Sequence, residues 1–186
     1  MTSVIAVFAA SLTTFALTNI DDMFLLTLFF AKRVPTRRII GGQYLGFAAI
    51  ILLSLLGTLG ALAIPHGWIR LLGLLPIFLG IKELFLRTKD HSPQELLHSS
   101  YGTLSIATIT LSNGADNVGV YVPFFVTAKH HLWLILSAYA TLIAVWCFLG
   151  RWFGKHPLLL RSVERWGHWI VPFVLVVLGI HVLARR

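Results

Sequence analysis

With 186 residues, 57% of them hydrophobic and 12% charged, the chain departs from a soluble domain, in which charge approaches about a quarter. Its apolar residues run in long stretches that are hydrophobic all round, which makes it an integral membrane protein. The net charge of +8 sits in connections beside those stretches, where it sets orientation and meets anionic lipid, and so argues against nucleic-acid binding.

Six segments suffice to span, at roughly Val4–Ala31, Ile39–Ile64, Trp68–Leu86, Tyr101–Ala128, Leu132–Phe153 and Trp169–Ala184. A transmembrane helix needs about 20 apolar residues. The first segment has no basic stretch ahead of Val4 and carries a polar motif, so it reads as a span and not as a cleaved signal. Pro76 and Pro172 bend the third and sixth segments, which neighbouring helices tolerate in a membrane. Trp68, Trp133, Trp152, Trp166 and Trp169 cluster at segment ends as an aromatic belt does. The lone Cys147 excludes an internal disulfide and electron shuttling through cysteine pairs, and reads as helix filling.

Basic residues set the orientation. With the first segment entering from outside, the inner connections hold Lys32, Arg33, Arg37, Arg38, Arg87, Lys89, Arg151, Lys155, Arg161 and Arg165. The outer side holds only Arg70, Lys129, Arg185 and Arg186. Both termini are therefore expected outside the cytoplasm.

The chain also repeats itself. Leu17, Asn19, Asp21, Phe29 and Phe30 match Leu111, Asn113, Asp116, Phe124 and Phe125, with Thr18 answered by Ser112 and Asp22 by Asn117. One residue is inserted in the second copy, at Gly114-Ala115. Leu79-Gly80-Ile81-Lys82 is echoed by Leu178-Gly179-Ile180-His181. The expected fold is all-α: six transmembrane helices as two three-helix repeats, residues 1–97 and 98–186, in one integrated membrane domain. Three spans per copy is odd, so the copies lie in opposite senses, as in many secondary transporters whose site sits at the midplane.

The two motifs carry the chemistry. A carboxylate at the bilayer centre costs roughly 2.5–3.5 kcal/mol on insertion scales and marks a functional site by default. Here Asp21, Asp22 and Asp116 lie inside spans, beside Asn19, Asn113 and Asn117. On a continuous helix the spacings of three and four place these side chains on one face. Alternatively the helix breaks: Asn113-Gly114 is a turn dipeptide, and Asn19 can cap a second half-helix whose first turn holds Asp21 and Asp22. A break exposes carbonyls that coordinate cations, and Pro123 removes the usual donor to the carbonyl of Gly119. Either geometry gives an oxygen-rich cage for a divalent cation, with the Thr18 and Ser112 hydroxyls as supplements. Three carboxylates exceed the ion's charge by one. When the ion leaves, the like charges repel and a proton is taken up, which makes proton–metal antiport the natural expectation.

Other polar residues read more plainly. Lys82 snorkels to the inner interface with Glu83 as its partner. His130, His131, His156, His168 and His181 fit loop or interface positions. Thr88–Ser100, with Asp90, His91, Glu95 and His98, is a solvated connector whose spacing matches no metal-ligand pattern.

Asn-Ile-Asp-Asp at Asn19–Asp22, Asn-Gly-Ala-Asp-Asn at Asn113–Asn117 and Pro-Ile-Phe-Leu-Gly-Ile-Lys-Glu-Leu at Pro76–Leu84 resemble the cadmium-resistance transporters of the lysine-exporter superfamily. The similarity covers essentially the whole chain. It implies a three-plus-three helix arrangement, export of cadmium or a related divalent ion, and a bacterial inner membrane. It also implies Asn19, Asp21, Asp22, Asn113, Asp116 and Asn117 as the ion site, with the metal as cargo and no cofactor. Cadmium is soft and favours sulfur, whereas this ligand set is all oxygen, which suits manganese, magnesium or calcium equally well. Export of an organic cation or basic amino acid, a channel, and an intramembrane aspartyl enzyme are the alternatives. The last is disfavoured, because a proton-sharing dyad needs no asparagines. A homodimer is compatible with a chain of this size.

Overall fold

The computed structural model describes residues 4–63 and 102–155, together with Leu74, Ile77, Phe78, Ile81, Val176 and Ile180, all six of which are helical. The third and sixth expected spans otherwise lie outside the described residues. So do Lys82 and Glu83, the Thr88–Ser100 connector, His156, His168 and His181.

The described chain is all helix, with no strand. The first expected span is two helices, α1 (Val4–Thr18) and α2 (Ile20–Ala31), bent by 60° about Asn19. The fourth is also two, α4 (Thr103–Asn113) and α5 (Asn117–Thr127), separated by Gly114, Ala115 and Asp116. Between the expectations of a continuous and a broken helix, the chain breaks in both copies, at the motif each time. The second span is one helix, α3 (Thr36–Leu62), and the fifth is α6 (Leu132–Phe153), entered through a 3-10 turn at Lys129–His131. Among the described residues, α3 and α6 are long and apolar enough to cross a membrane alone, and α1 with α2 makes a third candidate.

The turn between α2 and α3 is locally determined. Val34 N–H donates to the Phe29 carbonyl (3.2 Å) and Arg33 N–H to that of Phe30 (3.1 Å), with Arg33 in the left-handed region at φ 58°. This is a Schellman ending, sealed by the buried pair Phe29 and Val34. Pro35, which cannot continue α2, then leads into α3.

The helices pair across the repeat. α3, from the first half, packs mainly on α4 and α5, and α6, from the second half, packs mainly on α1 and α2. Each uncut helix thus braces the broken helix that is not its neighbour in the chain. Close approach depends on small residues, the usual device where no hydrophobic effect drives helices together in lipid. A Cβ on Gly46 of α3 would stand 2.6 Å from the Ala107 carbonyl oxygen of α4, and one on Gly150 of α6 would stand 2.8 Å from Leu26 Cβ of α2.

Burial follows the membrane and not the aqueous rule. Leu45, Leu52, Leu53, Leu56 and Leu59 of α3 are exposed, while Ser11, Thr14, Thr27, Ser54 and Thr58 are buried. The hydroxyls of Ser54 and Thr58 each donate to the carbonyl four residues earlier, at 2.8 and 2.7 Å, which satisfies them inside their own helix. At the crossing of the four spans lies an aromatic cluster. Phe15, Phe47, Tyr121 and Tyr139 meet in tilted and edge-to-face pairs at centroid distances of 5.1–6.5 Å.

Candidate functional site

The site is assembled at the two breaks. Asn19 is the one non-helical residue between α1 and α2, with φ −121° and ψ 24°. It occupies the N-cap position, as the second sequence geometry expects, with Asp21 and Asp22 in the first turn of α2. Its side chain does not cap, however. The Nδ2 group donates backward to the Phe15 carbonyl (2.7 Å), to Thr18 Oγ1 (3.0 Å) and to the Tyr121 hydroxyl of α5 (2.9 Å). Its Oδ1 accepts from Asn117 Nδ2 (3.2 Å), again on α5. The backbone carbonyl of Asn19 accepts both from Met23 N–H (3.1 Å) and from the Trp146 indole of α6 (2.8 Å).

One carbonyl set free by the first break, that of Phe15, accepts from the Asn19 amide, and the Thr18 hydroxyl donates to the Thr14 carbonyl at 2.9 Å. That hydroxyl also pairs with Tyr121 at 2.9 Å. In the second break, Gly114 N–H donates to Thr110 (2.9 Å) and Asn117 N–H to Gly114 (3.1 Å), so the turn closes on itself.

The two neighbouring acids part company. Asp22 is buried, and one of its oxygens, Oδ2, accepts from the Gln43 amide of α3. Gln43 Oε1 in turn accepts from the Thr110 hydroxyl of α4 (2.9 Å). Asp21, by contrast, is exposed. Its Oδ1 accepts from Asp22 N–H (2.9 Å), and its Oδ2 accepts from Asn113 Nδ2 (2.9 Å), at the end of α4. The Asp116 carboxylate, at the N-cap of α5, lies within electrostatic reach of Asp21.

All six expected residues thus lie at the breaks, and four of them are joined across the halves by side-chain bonds in the pairs Asn19–Asn117 and Asp21–Asn113. The three carboxylates do not form a finished cage. Among the described residues, no three His, Cys, Asp or Glu side chains converge as a metal-holding group. Four residues that reading the motifs alone does not reach prove central: Gln43, Thr110, Tyr121 and Trp146. Gln43 carried a usable signal, being the one amide in the otherwise apolar second span, and a polar side chain in a membrane helix seeks a partner. Trp146 stands in mid-helix, away from the interfacial belt of tryptophans. Tyr121 and Thr110 carried none.

A membrane helix bundle that places acids and amides from two broken helices side by side has the construction of a transporter. A family model described as cadmium resistance transporter matches residues 15–186. The chain belongs to that family. The matched span takes in both breaks and all four residues above. No curated protein and no solved structure matches the chain. As a member of this family the chain is a membrane protein of a transporter class, and its apolar helices are in keeping with that.

Proposed function

We propose that the chain exports a divalent metal cation, cadmium or a related ion such as manganese, across a bacterial inner membrane in exchange for protons. The observation that carries this reading is the tie from Asn113 to Asp21, which brings an exposed acid of one break against an amide of the other with Asp116 nearby. In this reading Asp21, Asp22 and Asp116 supply charge, and Asn113 supplies an amide oxygen. Asn19 and Asn117 are bonded to each other and to the protein around them, and they maintain the shape of the break.

The same proposal includes six spans in two inverted halves, 1–97 and 98–186, with both termini outside and kinship to the lysine-exporter superfamily. The cross-bracing of α3 and α6 supports it, since a two-fold repeat that exchanges its second spans produces that pattern. Because the acids do not yet converge, the ion is expected to draw Asp116 and Asp21 together. Like charges otherwise hold apart, and proton uptake on release relieves them.

The test is calorimetric binding of cadmium, manganese, magnesium and calcium to purified protein, paired with uptake into proteoliposomes under imposed pH gradients. Asp21→Asn and Asp116→Asn are each expected to lower affinity by at least about tenfold, on the scale of one lost charged ligand contact. Wild-type affinity in both variants would remove these acids from the site. Uptake that ignores a proton gradient of either sign would remove the coupling, and displacement of metal by lysine or a quaternary amine would change the substrate class.

A further inference from the structure

We infer that Gln43 is a positioning residue for the ion site, and that Thr110 on α4 anchors it. The inference rests on the metal-export reading and adds two residues, on α3 and α4, that lie outside the two motifs.

A Gln side chain carries an acceptor oxygen and a donor NH2 on one planar group, and rotating it exchanges their places. Facing a carboxylate, only the NH2 end is useful, because a carboxylate accepts and an amide oxygen set against it repels. Asp22 therefore sets which way round the amide lies. The Thr110 hydroxyl, able to donate or accept, donates to Gln43 Oε1 at 2.9 Å and anchors the far end of the amide that holds Asp22 Oδ2. Asp22, Gln43 and Thr110 are 5%, 1% and 3% exposed, so water does not substitute for any link.

The relay engages one oxygen of Asp22 and leaves Oδ1 outside that bond. A carboxylate fixed by one oxygen presents the other in a defined direction, and partners of this kind tune metal affinity by about 10–100-fold when removed. The relay also has a counterpart. Asp21 is tied directly to Asn113, and Asp22 is tied through Gln43 to Thr110, one helical turn earlier on α4. Two adjacent acids are thus fastened to successive turns of the helix that precedes the other break. Gly46, one turn beyond Gln43 on α3, allows α3 to lie close enough to α4 for the bridge to reach, since a Cβ there would meet Thr110 Cβ at 2.7 Å.

The experiment measures cadmium and manganese binding by calorimetry on purified wild type, Gln43→Met, Thr110→Val, Thr110→Ser and the double variant Gln43→Met/Thr110→Val, with thermal unfolding recorded for each. Gln43→Met keeps the volume and loses both bonds, and is expected to weaken binding by about 10–100-fold. Thr110→Val keeps the shape and loses the hydroxyl, and is expected to weaken binding in the same sense by less, whereas Thr110→Ser restores wild-type affinity. Because Thr110 acts through Gln43, the double variant should bind no more weakly than Gln43→Met alone. Wild-type affinity in Gln43→Met, or additive losses in the double variant, would overturn the inference. If Gln43→Met does not fold, the Thr110→Val and Thr110→Ser pair decides: equal affinities in those two overturn it as well. Failure of the wild type itself to bind any divalent ion would instead bring down the export reading.

Discussion

The two breaks carry similar motifs and are built in opposite ways. At the first, a single residue, Asn19, leaves the helix, and its side chain and carbonyl are held by Phe15, Thr18, Tyr121, Asn117 and Trp146, three of them from the other half. At the second, three residues form a turn that bonds to itself, and the matching Asn113 is half-buried and reaches out to Asp21. Equivalent asparagines thus have unequal tasks. The buried one maintains a bend that the helix alone would not keep, and the accessible one meets the acid of the proposed site.

That contrast can be broken most directly at the asparagines. Asn19→Leu leaves the Phe15 carbonyl, the Tyr121 hydroxyl and the Asn117 amide short of a partner, at about 1–3 kcal/mol for each buried group. A loss of several kcal/mol, read as a much lower unfolding midpoint in detergent, is the largest effect expected. Asn113→Leu removes one reachable bond, so its stability should fall by no more than about 1 kcal/mol while metal affinity suffers. Equal destabilisation by the two would show that the breaks are alike after all.

The glycines sharpen the comparison of α3 with its surroundings. Gly46→Ala forces a methyl group against the Ala107 carbonyl oxygen, and overpacking of that kind costs about 1–3 kcal/mol. Gly60→Ala meets nothing within 4 Å among the described residues, so it should be neutral or gain up to about 1 kcal/mol from helix propensity. Thermal unfolding of the two variants side by side distinguishes a packed seam from an open helix face.

The smallest effect is expected among the tyrosines. Tyr121 bonds to Thr18 and Asn19 across the halves, so Tyr121→Phe should cost about 1–2 kcal/mol. The Tyr139 hydroxyl, in the same aromatic cluster, is buried with no hydrogen-bond partner among the described residues. Tyr139→Phe should therefore leave stability unchanged or raise it slightly, because a group that bonds nothing gives up only its desolvation penalty. A clear loss at Tyr139 would mean that its hydroxyl is engaged in another state of the transporter.

Much of this molecule was legible in advance, and in a definite order. Composition alone identified helices in lipid, because an unpaired backbone inside a bilayer leaves few other options. The fifth span was read to the residue at Leu132–Phe153, and the second within a turn, since a long apolar run has sharp polar ends. The motif residues were found because an acid in a membrane stands out against its neighbours. The three-carboxylate cage was the part that composition overstated: it counts charges and cannot see that Asp21 and Asp22, one residue apart, turn toward different helices.

What the amino-acid order determined by itself was local and chemical: where helices form, where they break, and which side chains are too polar for lipid to ignore. Tertiary structure alone decided that α3 braces α4 and α5 while α6 braces α1 and α2, and hence that Gln43, Tyr121 and Trp146 meet the first motif from more than twenty to more than a hundred positions away, with Thr110 joined to it through Gln43. The reason is physical. A hydrogen bond between distant residues exists only once two helices have docked, and docking depends on the shapes of their faces, which no single stretch of the chain contains.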